Sequence, residues 1–386
     1  QNIMKGANRF FYTFFYLQSD CITLMTKNQE VKIKKSELKS TELGKYILEK
    51  YTPKKDLVRK LSEYAKGVFT HKTLERVKSC GDFMQHLTNL EMNAKKVHRS
   101  NSCGNRFCPL CTWNKAKKDA IMLAVLMQAI REQEEQEFIF LTLTAPNIKG
   151  EHLKSEIDRF NHAFNKLFKR KNVISVINGY VRKLEVTYNQ ERFITKQMYK
   201  RAKNYYDKRN LKEGDNNPNY DTYHPHFHVI LSVNKSYFTD TKVYINQSKW
   251  LEMWRDCMND ESITQVDIRK VRSSEKSEYG AVLEVAKYSA KSNELYASQS
   301  VFEIFYRALK GRQLLTFNGL FKDYVKKYKN GELDKYKKQD ENEYTHLLTS
   351  VWKTSKYENM LRELTVEEFE EYNQQAKYID EDDRVD

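Results

Sequence analysis

Between residues 113 and 295 the chain switches between two spacings of apolar positions. Within Trp113–Gln136, Ala120, Leu123, Ala124, Met127 and Ile130 recur at helical spacing, and Leu153, Ile157, Phe160, Phe164 and Leu167 do the same further on. Phe138 to Thr144 is a continuous apolar-rich run closed by Pro146, the pattern of a buried strand. Gly179 to Tyr188 alternates, as does Tyr223 to Leu231, so both read as strands. Trp250, Met253, Trp254, Cys257 and Met258 mark another helix, Ile263 to Val271 another strand, and Glu275 to Leu295 a further helix. The resulting order β-α-β-β-α-β-α predicts an α+β fold with a ferredoxin-like split βαβ antiparallel sheet. Residues 190–222 are too long for a simple hairpin. They open with a helical pattern (Ile194 to Tyr206) and end in the turn-rich run 214–219, read as mobile.

The stretch Tyr223-His224-Pro225-His226-Phe227-His228 changes this picture from fold to chemistry. Side chains alternate on a strand, so His224, His226 and His228 share one face, while Phe227, Val229 and Leu231 face a core. Pro225 suits the opening of an edge strand, where a missing N–H costs little. Two imidazoles two residues apart form a ready pair of metal ligands, and three of the chain's nine histidines fall here. The alternative is a polar face carrying histidines by chance. On the last helix Glu284, Tyr288 and Lys291 fall at i, i+4 and i+7. A phenol of pKa ~10 needs a nearby cation or metal to act as a nucleophile, and Lys291 supplies one. An ordinary ion-paired helix face would look the same.

Cys103, Cys108 and Cys111 lie close in sequence, with Cys80 ahead of them. A Cys-x-x-Cys knuckle presents two thiolates to one tetrahedral ion, so these four predict a structural zinc site, with His98 able to replace Cys80. No thioredoxin-like pattern supports a redox pair. Cysteines clustered in this way point to metal in a reducing cytosol, not to disulfides. Cys21 and Cys257 stand alone.

Composition adds the partner. Lys+Arg number 67 against 52 Asp+Glu, a net charge of +15, with 25 Tyr and 20 Phe interleaved. Such a balance favours a polyanion, and aromatic rings among cations suit single-stranded nucleic acid. Arg106, Lys115, Lys117, Lys118, Lys287, Lys310 and Arg312 are the cations expected to face DNA, with a solvated surface as the alternative. No run reaches the length of a membrane span, and the apolar stretch Phe10 to Leu17 is short. Met25 reads as a natural start. The chain divides into a basic, partly helical arm (1–76), a Cys-rich module with a basic helix (77–136), the sheet core (137–297), a basic extension (298–362) and an acidic disordered tail (363–386).

His226-Phe227-His228 resembles the histidine–hydrophobe–histidine motif of the HUH endonucleases. Tyr288-Ser289-Ala290-Lys291 resembles their Tyr-x-x-Lys motif, and Phe140 to Thr144 their first-strand motif. The cysteine cluster, the basic helix after it and Glu284 ahead of Tyr288 are similar to the single-tyrosine rolling-circle replication initiators of Gram-positive bacterial plasmids, over roughly residues 80–320. The resemblance implies an HUH core at 137–297 and a bacterial cytoplasmic enzyme that nicks one strand at a plasmid origin. Tyr288 is then the nucleophile and Glu284 activates water at termination. Mn²⁺ or Mg²⁺ sits on His226 and His228 with His224 or Glu185 as third ligand, and Zn²⁺ on the cysteines. Its implied partners are origin DNA (single-stranded or hairpin), a host helicase, a host DNA polymerase, and a second copy in a homodimer. A relaxase or transposase with the same chemistry, and a non-catalytic zinc-dependent DNA-binding regulator, are the competing readings.

Overall fold

A computed structural model describes residues 31–272, 275–286 and 292–378, with the side chains of 275–279 and 292 left out. Ten strands are described: β1 Val31–Ile33, β2 Phe83–Thr88, β3 Lys96–Ser100, β4 Gln136–Thr144, β5 Ile177–Asn189, β6 Thr222–Asn234, β7 Asp267–Val271, β8 Leu315–Gly319, β9 His346–Lys353 and β10 Lys356–Glu363. They form two five-stranded sheets, ordered β1-β10-β9-β2-β3 and β7-β4-β6-β5-β8. Each belongs to its own compact unit, one built from residues up to Asp56, Ser79–Cys103 and Lys338 onward, the other from Leu57–Lys78 and Gly104–Lys337.

In the second unit β4 and β5 both run antiparallel to β6, which lies between them, and β7 flanks β4. This is the split βαβ arrangement that the element order predicts. The crossover helices Leu153–Leu167 and Gln247–Met258 cover one face. There Phe227 meets Phe160 and Phe164 at ring separations of 5.6 and 5.4 Å. The opposite face carries Phe138, Phe140, Val181 and Ile230. Residues of three helices, Pro109–Glu134, Glu275–Ala286 and Leu320–Lys329, cluster with them in a second core layer.

Two expectations change here. β6 is the central strand, not an edge strand, and is buried along nearly its whole length. Pro225 is nonetheless tolerated. Tyr223 gives and receives backbone hydrogen bonds with Ile148 on the β4 side. With the two-residue period, the nitrogen of Pro225 faces that same side, just beyond the last β4 pair, Thr144 with His226. Phe317 to Phe321 runs from the end of β8 into the start of the helix Leu320–Lys329. Gly319 makes the corner at φ +53, where a Cβ would strike the Asn178 carbonyl oxygen. The helix expected from Ile194 is two short ones, Lys196–Arg201 and Lys203–Asp207, interrupted at Ala202.

The first unit is discontinuous in sequence. β2 pairs with β9 across more than 250 residues, His86 opposite Leu348. β9 and β10 form a tight hairpin with Thr354 at φ 56 in its loop. Residues 31–56, expected as part of a basic, partly helical arm, bury Leu38, Leu43, Tyr46, Ile47 and Tyr51, which are spread over three short helices, Lys35–Ser40, Glu42–Tyr46 and Ile47–Tyr51. Lys55 bonds the Cys80 carbonyl at 2.8 Å and pairs with Asp82 at 2.6 Å. Part of the stretch read as a disordered tail is ordered: Val366–Gln375 is a helix. Thr365 and Glu368 form its capping box, and Phe369 and Tyr372 pack on a cluster containing Tyr344, Leu347 and Leu364. Acidic composition hid an amphipathic pattern.

Candidate metal centre and its surroundings

β5 and β6 pair with Glu185 opposite His226 and Lys183 opposite His228, so cross-strand neighbours on one sheet face build the site. One ligand atom from each of Glu185, His226 and His228 falls within 4.8 Å of the others, and all three residues are buried. His228 Nε2 lies 3.0 Å, and His226 Nε2 3.4 Å, from the same oxygen of Glu185. His226 Nδ1–H donates to the His224 carbonyl at 3.1 Å, which leaves Nε2 as the lone-pair nitrogen facing Glu185. His228 Nδ1 is held by Thr142 Oγ1 at 3.3 Å. Burial pushes the Glu185 carboxyl up, but its interaction with the two neighbouring imidazoles outweighs burial and holds the group well below the usual carboxylate range.

His224 shares the face but not the cluster. Its Nε2 bonds Thr144 Oγ1, and its ring stacks on His226 with centroids 5.2 Å apart. Burial and then the neighbouring His226 lower its pKa to about 4, so this imidazole is neutral at physiological pH. The alternation of the FLTLT run contained the signal for Thr142 and Thr144, which face β6 opposite His228 and His226. Sequence reasoning missed both, and also Lys183, a buried ammonium on the same face of β5 whose pKa burial lowers to about 8.

Two imidazole nitrogens and an ionised carboxylate in one cluster are a donor set suited to a hard or borderline divalent ion that takes further ligands besides these three. Glu284, on the helix Glu275–Ala286, brings a second carboxylate to 3.9 Å from His228 Nε2. Lys287, Tyr288 and Lys291 lie outside the described residues.

The sulfurs of Cys80, Cys103, Cys108 and Cys111 also lie within 4.8 Å of one another. A tetrahedron with Zn–S of ~2.3 Å has S···S edges of ~3.8 Å, so the spacing accommodates one ion. Backbone N–H groups point at two of these sulfurs, Cys103 N to Cys80 Sγ at 3.4 Å and Gly104 N to Cys111 Sγ at 3.3 Å. His98, the alternative fourth ligand, instead packs on Tyr372, ring to ring at 4.2 Å. Cys257 is buried and free.

The cations expected on DNA divide. Lys117 is 1 % exposed, with its ammonium 3.9 Å over the Trp113 ring, because its helix face is turned inward; it cannot meet a phosphate. Lys115 and Lys118 are exposed, the former paired with Asp119 at 2.9 Å. Arg106 donates to the carbonyls of Leu309 and Arg312, and Arg312 in turn to those of Ala308 and Lys154 and to Asp158, so these two guanidinium groups tie segments of the second unit together. Lys310 is exposed beside Tyr306. Among the described residues no helix is long and apolar enough to cross a membrane.

Comparison with known proteins gives the family. A family described as "Replication protein" (Rep_1) matches residues 94–360. A "Protein rep" of Staphylococcus aureus is 42% identical over 255 residues, covering 66% of this chain and 98% of that protein. A "Protein rep" of Streptococcus pneumoniae serotype 2 is 31% identical over 314 residues, 78% of this chain and 89% of the relative. One from Lentilactobacillus hilgardii is 29% identical over 328 residues, 82% and 91% of the two chains. No solved structure matches. As its resemblance to the replication initiators of Gram-positive plasmids implied, the chain belongs to the Rep_1 family of replication proteins.

Proposed function

We propose that this protein initiates rolling-circle replication of a plasmid by nicking one origin strand through tyrosine transesterification. The observation that carries the reading is the buried Glu185–His226–His228 cluster, with Glu284 at 3.9 Å from His228 and only four residues ahead of Tyr288 in the chain. Glu185, His226 and His228 would hold Mn²⁺ or Mg²⁺, which when bound supplies Lewis-acid polarisation of the scissile phosphate. Cys80, Cys103, Cys108 and Cys111 would hold Zn²⁺ as a structural ion.

The Tyr288 hydroxyl gives up its proton and its oxygen forms a bond to phosphorus. The bond from phosphorus to the 3′-oxygen breaks, and that oxygen takes a proton. The products are a 5′-phosphotyrosine link and a free 3′-OH, the end a host polymerase extends. Lys291 supplies positive charge for the phenolate and for the oxygens of the phosphoryl group. The neutral His224 presents its carbonyl to His226 and so orients that ligand without adding charge. At termination Glu284 accepts a proton from water, which releases the link without a second tyrosine. The test is incubation of wild type and Tyr288→Phe with a single-stranded origin oligonucleotide labelled at both its 5′ and 3′ ends and Mn²⁺, read on a denaturing gel. Nicking and a covalent species in the wild type alone support the reading; an adduct that persists in Tyr288→Phe removes Tyr288 as nucleophile.

A further inference from the structure

Residues 190–221, which join β5 to β6, do nothing for the sheet, yet they are carefully built. Ile194, Tyr206 and Asn217 are buried within them. Asn217 Nδ2 bonds Asn189 Oδ1 at 3.0 Å and the Glu191 carbonyl at 2.8 Å, and its backbone N–H reaches the Arg192 carbonyl at 2.9 Å. Phe193 bridges to Asn216. The insertion is therefore a defined platform and not the mobile loop its turn residues predict.

Its outer surface is unusual. The large aromatic side chains exposed among the described residues are Phe193 (53 %), Tyr220 (44 %) and Tyr244, and the first two stand on this insertion. Around them Lys196, Lys200, Arg201, Lys203, Lys208 and Lys212 are exposed or nearly so and form no ion pair among the described residues. Of the five acids among residues 190–221, Asp207, Asp221 and Asp215 accept hydrogen bonds from Tyr199 Oη–H, Tyr188 Oη–H and the Lys212 N–H, while Glu191 and Glu213 are exposed, so the eight Lys and Arg of the insertion outnumber its acids. Arg209 lies on the Tyr205 ring at 3.9 Å and Arg192 near Phe193 at 5.8 Å. Unpaired cations interleaved with exposed rings fit a phosphate backbone whose bases are free to stack. Position points the same way. Asn189 follows Glu185 by four residues and Thr222 precedes His226 by four, so the platform begins roughly 13 Å along each strand from the metal-site residues, at ~3.3 Å per residue.

We propose that the 190–221 insertion is the docking platform for the single-stranded DNA that flanks the scissile phosphate, with bases on Phe193 and Tyr220 and phosphates on Lys196, Lys200 and Lys203. It rests on the reading of the metal site as a DNA-nicking centre. The test is binding of fluorescein-labelled dT30 by anisotropy, without added divalent ion, across a salt series. Phe193→Ala/Tyr220→Ala is expected to weaken binding at least about 10-fold. Lys196→Gln/Lys200→Gln/Lys203→Gln is expected to reduce the slope of log K against log salt by about 2, at ~0.7 per phosphate contact. All five positions are exposed or nearly so, and both variants should melt with the wild type. Unchanged dT30 binding in both overturns the proposal and leaves the platform as a protein-docking surface. An equal loss on a 30-base-pair duplex overturns the single-strand assignment. A wild type that binds dT30 through these residues yet forms no adduct with Mn²⁺ would sink the nicking reading alone and support the platform.

Discussion

Lys96 and Asp340 test the most unexpected feature of the fold, the pairing of β3 with a segment 244 residues away. Lys96 Nζ sits 3.1 Å from Asp340 Oδ2, with the side chains 9 % and 0 % exposed. Tyr344 Oη–H donates to the same carboxylate oxygen at 2.9 Å, and Lys96 also reaches the Tyr378 carbonyl. Removing one partner leaves the other charge buried. Lys96→Met takes the cation from a carboxylate that then keeps only neutral donors, the Tyr344 hydroxyl and the N–H groups of Asn342, and Asp340→Leu takes the carboxylate from a buried ammonium. Breaking a buried pair of this kind costs about 3–5 kcal/mol, against roughly 0–1 for an exposed pair. The double variant Lys96→Met/Asp340→Leu removes both charges and should cost less than either single change, so a double-mutant cycle returns a favourable coupling of a few kcal/mol, on the order of the single-variant losses. Urea unfolding followed by circular dichroism measures all four proteins. Single-variant losses under about 1 kcal/mol, additive in the double, would mean that residues 338–378 are not packed on β3.

Four further outcomes are expected. Glu185→Ala should lose Mn²⁺ affinity in calorimetry and abolish nicking while keeping dT30 binding; wild-type Mn²⁺ affinity would remove Glu185 from the ligand set. Cys108→Ser/Cys111→Ser should purify without zinc by elemental analysis and melt lower, and full zinc retention would refute the site. Glu284→Ala should still nick but accumulate the covalent species, whereas unchanged turnover excludes it from release. Hydrogen bonds from Arg362 hold the Glu368 carboxyl below its ordinary value of 4.5. A lowered pKa stabilises above the unfolded value and is lost as pH falls through the folded one, so the stability gap between wild type and Glu368→Gln should close below about pH 4.5. A gap constant with pH would contradict that.

Much of the second unit was legible because its elements are local. The alternation of Tyr223 to Leu231 and the helical spacing of Leu153 to Leu167 each lie within one window, and the element order limited the topology. That His226 and His228 share one strand face was legible too, and Glu185 joins their cluster by register between neighbouring strands. Choosing Glu185 over His224 was not, because it depends on where Thr144 draws the His224 ring. The first unit stayed hidden for another reason. His346–Lys353 and Lys356–Glu363 alternate clearly, but their outer partners, β2 and β1, lie hundreds of residues upstream, and no local period reports such a pairing. Composition misled at both ends: lysine-rich 31–56 carries buried apolar residues beneath its charge, and glutamate-rich 366–375 packs the half-buried Phe369 and Tyr372 on a small cluster.

The central claim is that Tyr288 attacks DNA beside the Glu185–His226–His228 cluster. Its most direct measurement is mass spectrometry of the adduct formed with a single-stranded origin oligonucleotide and Mn²⁺, after nuclease trimming and proteolysis. The expected result is a nucleotide-modified peptide with the mass on Tyr288, absent from His228→Ala. A modification on any other tyrosine, or an adduct of undiminished yield in His228→Ala, would contradict it.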